Sequence, residues 1–406
     1  MQRRDFLMAG SAALLQAWMS SSHAADNRDA RYQGLLILVE LKGGNDALNM
    51  VVPYADPLYA GLRPRLALKR EDVLQLDEQT GLHPAMQNLL PLWRDKQLAV
   101  VQGLGYANPN LSHFRSIEIW DTASDANRYL QEGWLSRTFE QFPLNQHFAA
   151  DGVLIGSPDL GPLTGSARAI ALAASGKAAE KFVDQARTAQ TSRARLSPAI
   201  QHVLKVEADI AQAADGFRAA IAEQAGQGAV ALSPRVTQQL PNGAWGEAIK
   251  TALQVVANGK RANNAQVACL RLTLNGFDTH QNQLGTQANL LRDLADGLAA
   301  LRTGLQELGV WEQTYISTYA EFGRRPCENQ SGGTDHGTAA AHLVMGGKVQ
   351  GGLYGPRPNL AQLDGNGNLT FALDFRQLYA TLLDAAWKIP SADILGARFN
   401  RLPIIA

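Results

Sequence analysis

The chain has 406 residues, 46% of them hydrophobic, and its 37 basic side chains balance 37 acidic ones for a formal net charge of zero. That neutrality supplies no field to gather nucleic acid or an anionic membrane surface, so neither partner is expected. The only two cysteines, Cys269 and Cys327, rule out a disulfide framework and any haem or iron–sulfur spacing, and both are expected unpaired, the first packed in the core.

Residues 1–24 join Arg3 and Arg4 to a moderately apolar stretch and then to small residues, the order of a secretory signal. An Arg pair followed by "DFL" is the pattern of a twin-arginine signal, which predicts delivery of the folded chain by that export machinery to the periplasm or beyond. Gln16 and the serines at 20–22 interrupt the apolar run, so no stable membrane anchor is expected. Roughly 380 residues would remain, enough for one large domain over 25–406.

Short strand-like runs follow in order: "GLLILVEL", "QLAVVQGLG", "GVLIGS", "ARAIALAAS", "QVACLRLTL", "TYISTYA" and "AAHLVMGG". Such runs alternating with helical segments predict an α/β fold with a largely parallel buried sheet. Between the fifth and sixth runs, Leu290, Leu291, Leu294, Leu298, Leu301, Leu305 and Leu308 keep helical spacing, which makes a strand–helix–strand unit. The stretch near 177–227, rich in Ala, Gln and charge with no strand-like run, reads as a helical insertion. Ligands of such sheets collect beyond the carboxyl ends of the strands.

The polar residues at those ends are therefore the candidates for chemistry. Asp46 follows Gly43 and Gly44 after the first strand, where it can ligate a metal or stabilise its own turn. Ser112 opens a helix after the second strand, as an N-cap or as a nucleophile at a positive dipole end, with His113 and Arg115 beside it. Asp278 and His280, two apart in extended chain, point to one side and can share a cation. Their oxygen and nitrogen donors suit zinc, manganese or iron better than calcium. Glu321 ends the sixth run ahead of Arg324 and Arg325, and "GGTDHGTAAAH" then carries Asp335, His336 and His342, the last of which reads equally well as a strand residue. His83 reads as a helix-entry residue, and alternation along the first strand leaves the direction of Glu40 open.

The blocks "LKGGNDALNMVVPY", "LHPAMQNLLPLW", "LSHFRSIEIWDTA", "DTHQNQ", "EFGRRPCENQSGGTDHG" and "GGLYGP" resemble the DUF1501 family of exported bacterial proteins. That family in turn is similar to a distant branch of the alkaline phosphatase and sulfatase superfamily. The resemblance implies a three-layer α/β/α sandwich holding one or two divalent metal ions, among zinc, manganese, calcium and magnesium. It implies hydrolysis of a phosphate or sulfate ester, the substrate being an anionic small molecule or saccharide. Residue by residue it implies Asp46, Asp278, His280, Asp335, His336 and His342 as metal ligands, with Glu321 standing in where the pattern shifts. Ser112 is implied as nucleophile with His113 beside it, and Arg115, Arg324 and Arg325 as groups that bind the anion. The chain departs from the superfamily in having Thr279 alone between Asp278 and His280, and Glu321-Phe322-Gly323 where Asp-His-Gly is usual. A rival reading is a non-catalytic exported binding or assembly protein on the same fold with a degenerate metal site.

Overall fold

The structure, a computed structural model, describes residues 31–172, 231–261 and 266–405. The leader at 1–24 and the expected insertion near 177–227 lie outside the described residues. All seven strand-like runs form strands: β1 (Leu35–Lys42), β2 (Leu98–Gly105), β3 (Phe148–Ile155), β4 (Ala169–Leu172), β5 (Gln266–Asn275), β6 (Thr314–Tyr319) and, after a hairpin, a strand at Ala340–Met345. The hairpin itself is β7 (Arg324–Glu328) against β8 (Thr334–His336), so Ala340–Met345 is β9. β10 (Gly352–Tyr354) and β11 (Leu373–Asp374) follow; at three and two residues they carry no readable periodicity.

The central sheet runs β10-β2-β9-β6-β1-β5-β3-β4, with β11 also paired to β2. Every pairing is parallel except those of β9, which runs antiparallel to both β2 and β6. The reversal has a direct consequence for position. The amino end of β9, and the hairpin that leads into it, lie at the same edge as the carboxyl ends of β1, β2, β5 and β6.

Alternation along β1 divides the core into two layers. Ile37, Val39 and Leu41 pack in one apolar cluster with α4 (Gly243–Arg261) and α5 (Gln283–Glu307). Leu36 and Leu38 pack in the other with α2 (His113–Thr122), α3 (Trp134–Gln141) and α6 (Arg376–Thr381), while the short α1 (Ala47–Met50) follows β1 directly. The fold is thus a three-layer α/β/α sandwich with a largely parallel sheet, as its doubly apolar strands require.

The leucine spacing between β5 and β6 corresponds to α5, in which Leu291, Leu294, Leu298, Leu301 and Leu305 are all buried. The helix stops where Gly309 takes φ +66° and its N–H bonds the carbonyl of Gln306. Leu298 is fully buried, so Leu298→Ala would cost about 2–5 kcal/mol. Both cysteines are free, Cys269 buried and Cys327 exposed. Glu40 turns inward, where Arg271 donates to its Oε2 at 2.7 Å. His83 caps a 3-10 helix, its Nδ1 accepting from the N–H of Ala85. No helix among the described residues is long and apolar enough to cross a membrane.

Candidate metal centre

Three loops must meet at the active edge for a site to exist, and one glycine lets them. Gly43 has φ +117°, and a Cβ there would lie 2.3 Å from the backbone nitrogen of Asp278, so only glycine permits the loop after β1 to touch the loop after β5. The buried Arg324 guanidinium then ties the loops together. Its Nε donates to the Gly44 carbonyl at 2.7 Å, one terminal nitrogen to Thr334 O at 2.7 Å, and the other to Gly43 O, to Phe277 O and to Asp278 Oδ1 at 2.6 Å.

Around Asp278 stand three imidazoles. His280 Nε2 is 3.1 Å and His336 Nε2 3.4 Å from Asp278 Oδ1, and His113 Nε2 is 3.5 Å from Asp278 Oδ2. In each ring the other nitrogen is engaged. His336 Nδ1 donates to Leu111 O at 2.8 Å, His280 Nδ1 to Asp335 Oδ1 at 3.2 Å and His113 Nδ1 to Glu321 Oε1 at 2.8 Å. A carbonyl can only accept, so His336 carries its proton on Nδ1, and the carboxylates hold the other two rings in the same tautomer. Three Nε2 lone pairs therefore face the Asp278 carboxylate, those of His280 and His336 at Oδ1 and that of His113 at Oδ2, the arrangement of metal-ligating histidines fixed from behind.

Ligands bound about 2.0–2.2 Å from one ion are about 3.3 Å apart in a tetrahedron, and the observed spacings of 3.1 and 3.4 Å to Asp278 Oδ1 match that. His113, Asp278 and His336 form a group whose ligand atoms all lie within 4.8 Å of one another. The Glu321 side chain is buried and its Oε2 has no partner, a cost that a nearby positive charge relieves. The residues fit a divalent ion.

Protonation follows the same contacts. The Glu321 bond raises His113 above its ordinary value, whereas burial lowers His336. Burial pushes Asp278 up, but the Arg324 bond and charge outweigh it and the carboxyl ends below its ordinary value. Asp335 is lowered first by the Asn329 amide, which donates to it at 3.1 Å and to His280 O at 2.9 Å, and then by His280.

Of the twelve site residues expected from sequence, the edge gathers His113, Asp278, His280, Glu321, Arg324, Asp335 and His336. Asp335 and Glu321 stand behind His280 and His113, each bonded to the ring's Nδ1. Arg324 is consumed by its four carbonyls and Asp278, which leaves no donor for a substrate anion.

Asp46 is corrected from ligand to strut. Both of its oxygens are taken by the buried Arg63, at 2.5 and 3.0 Å, and it also accepts from Gln283 at 2.5 Å and from the N–H of Leu48 as the cap of α1. His342 lies in the core, its Nδ1 3.4 Å from Thr318 Oγ1 and its ring edge-on to Trp120 at 5.3 Å; desolvation lowers its pKa to about 3. Arg115 turns away, donating to the carbonyls of Ala126 and Arg128 and pairing with Glu118 at 2.8 Å.

Ser112 precedes α2 as expected, yet its hydroxyl makes no cap bond and the residue is exposed beside His113. Arg325 has its Nε buried and unpartnered among the described residues, and its charge reaches Asp335. Phe322 stands where a histidine was expected and packs its ring on His113 at 4.9 Å and on His336 at 4.4 Å. Asn329, Arg63 and the Leu111 carbonyl were not foreseen; Asn329 sits in "ENQSGG", which reads only as a turn.

No curated protein sequence matches the chain. Solved structures overlap it loosely. The lipoteichoic acid synthase LtaP from Listeria monocytogenes is 10% identical over 80% of this chain and 66% of that one, with a TM-score of 0.35. Ps i-CgsB in complex with k-i-k-neocarrahexaose is 10% identical over 90% and 73%, with a TM-score of 0.40. Alkaline phosphatase from the Antarctic bacterium TAB5 is 8% identical over 79% and 94%, with a TM-score of 0.31. A family model described as "Protein of unknown function (DUF1501)" matches residues 34–394, and the chain belongs to that family.

Proposed function

We propose that the protein is an exported, metal-dependent hydrolase of phosphate or sulfate esters with Ser112 as nucleophile. The observation that carries the reading is the convergence of His113, His280 and His336 on Asp278, each ring held by its Nδ1. These four residues would hold one divalent ion, which would supply Lewis-acid stabilisation of the ester oxygens. Asp46, saturated by Arg63, Gln283 and Leu48, favours one ion over two.

Ser112 Oγ attacks phosphorus or sulfur, the bond to the alcohol oxygen breaks, and the alcohol leaves with a proton. Water then cleaves the esterified serine, which returns the hydroxyl and releases phosphate or sulfate. The N–H groups at the amino end of α2 and the Arg325 guanidinium hold the anionic oxygens during both transfers. Glu321 and Asp335 keep His113 and His280 in the ligating tautomer. Export by the twin-arginine route belongs to the same reading, because a folded chain carries its metal across.

The test is turnover of 4-nitrophenyl phosphate and 4-nitrophenyl sulfate by protein loaded with zinc or manganese. Ser112→Ala should abolish release of nitrophenol while metal content is unchanged. Metal-loaded protein inert toward both esters would end the hydrolase reading and leave the rival, a metal-bearing binding protein.

A further inference from the structure

A cavity of about 270 Å³ opens between β2, β9 and α1, and none of its lining residues belongs to the Asp278 cluster. Ala47, Ala340 and Ala341 give it small apolar walls. Its floor comes from a β-bulge. The pairs His342–Val101 and Ala340–Leu104 bracket one residue on β9 but two, Gln102 and Gly103, on β2. Gly103 takes φ +72°, open to glycine and strained for other residues, and its carbonyl accepts from the N–H of Ala372 at 2.8 Å. Bulges of this kind re-aim a side chain out of the strand's alternation.

The re-aimed side chain is Gln102, which is 3% exposed, lines the cavity and makes no side-chain hydrogen bond among the described residues. Its amide borders the cavity without a protein partner, so a ligand there can take its hydrogen bonds, which leucine could not offer. The cavity is also bordered by Arg357, exposed and without an ion-pair partner among the described residues. Apolar walls, one inward amide and one rim cation make up the usual chemistry of a small-molecule site.

We propose that this cavity is a second binding site, for a small anionic amphiphile of about ten to fifteen non-hydrogen atoms, a size set by typical pocket volumes. Its acidic end pairs with Arg357 and an amide-type group pairs with Gln102, as an N-acylated amino acid would. The site shares no lining residue with the Asp278 cluster and stands independently of the metal reading.

N-Acetyl-leucine is the probe, titrated calorimetrically into the full chain with and without chelator. Binding should survive the chelator and weaken at least tenfold in both Gln102→Leu and Arg357→Gln. Gln102→Leu should at the same time raise the unfolding midpoint, which separates a ligand-serving amide from one that holds the fold. Absence of binding to the wild type, equal binding in both variants, or loss of binding with the metal would each overturn the proposal. A lower midpoint in Gln102→Leu would do so as well.

Discussion

His280 and His336 face each other Nε2 to Nε2 at 2.9 Å. With each Nδ1 proton committed, to Asp335 and to Leu111 O, two lone pairs meet there, and only a proton or a cation between them makes the distance favourable. The expected outcome is one divalent ion per chain by elemental analysis. His280→Ala or His336→Ala should empty the site, and two ions per chain in the wild type would contradict the single-centre reading. Ligating rings must be neutral, and His113 is raised above its ordinary 6.5 by Glu321. Metal affinity should therefore begin to fall above pH 6.5 as acid is added, which a competitive chelator titration across pH would follow.

Glu321 holds His113 by Oε1 and takes the Gly43 N–H at 2.9 Å through the same atom. Glu321→Gln keeps the shape and removes the charge. Loss of such a supporting carboxylate should lower metal affinity about 10–100-fold. An unchanged dissociation constant would show that His113 is not a ligand.

Arg63 and Asp46 separate a structural carboxylate from a ligand. Arg63→Ala strands a buried charge and should cost about 3–5 kcal/mol in urea unfolding. Asp46→Asn should lose stability too, yet keep its full complement of metal. Metal loss in folded Asp46→Asn would return Asp46 to the centre.

His342 is buried without a partner for Nε2, and its pKa of about 3 lies below the ordinary 6.5. As pH falls from 6.5 toward 3, the unfolded chain takes up a proton that the folded chain refuses. The residue thus withdraws stability over that window, by at most about 1.4 kcal/mol per pH unit, and has no effect above it. His342→Leu should flatten the difference in urea midpoint between pH 7 and pH 4.5 relative to wild type.

Runs such as "GLLILVEL" and the leucines of α5 declared their elements because burial on two faces or on one stripe leaves a periodic trace. The meeting of Asp278, His280, Asp335 and His336 at one edge was legible for a related reason: in a parallel sheet, polar residues at strand ends have one edge to go to. The roles of Asp46, Arg115 and Arg324 were not legible, since each is decided by remote partners such as Arg63 and the Gly44 carbonyl. His342 misled because β9 is reversed, which carries a residue six positions after His336 along the strand into the core. The bulge at Gln102 left no mark beyond a glycine.

The place of β1 in the sheet also governs when the molecule can form. Leu36 pairs with Cys269 on one side and with Tyr315 on the other, so the innermost strand, made first, waits for partners made far later. A chain ending before Thr314 has one bare ladder at its centre, and the nascent protein stays open until most of it has been synthesised. Folding of this kind, dominated by distant pairings, is slow, and pulse-labelled chains should become protease-resistant only after full-length synthesis.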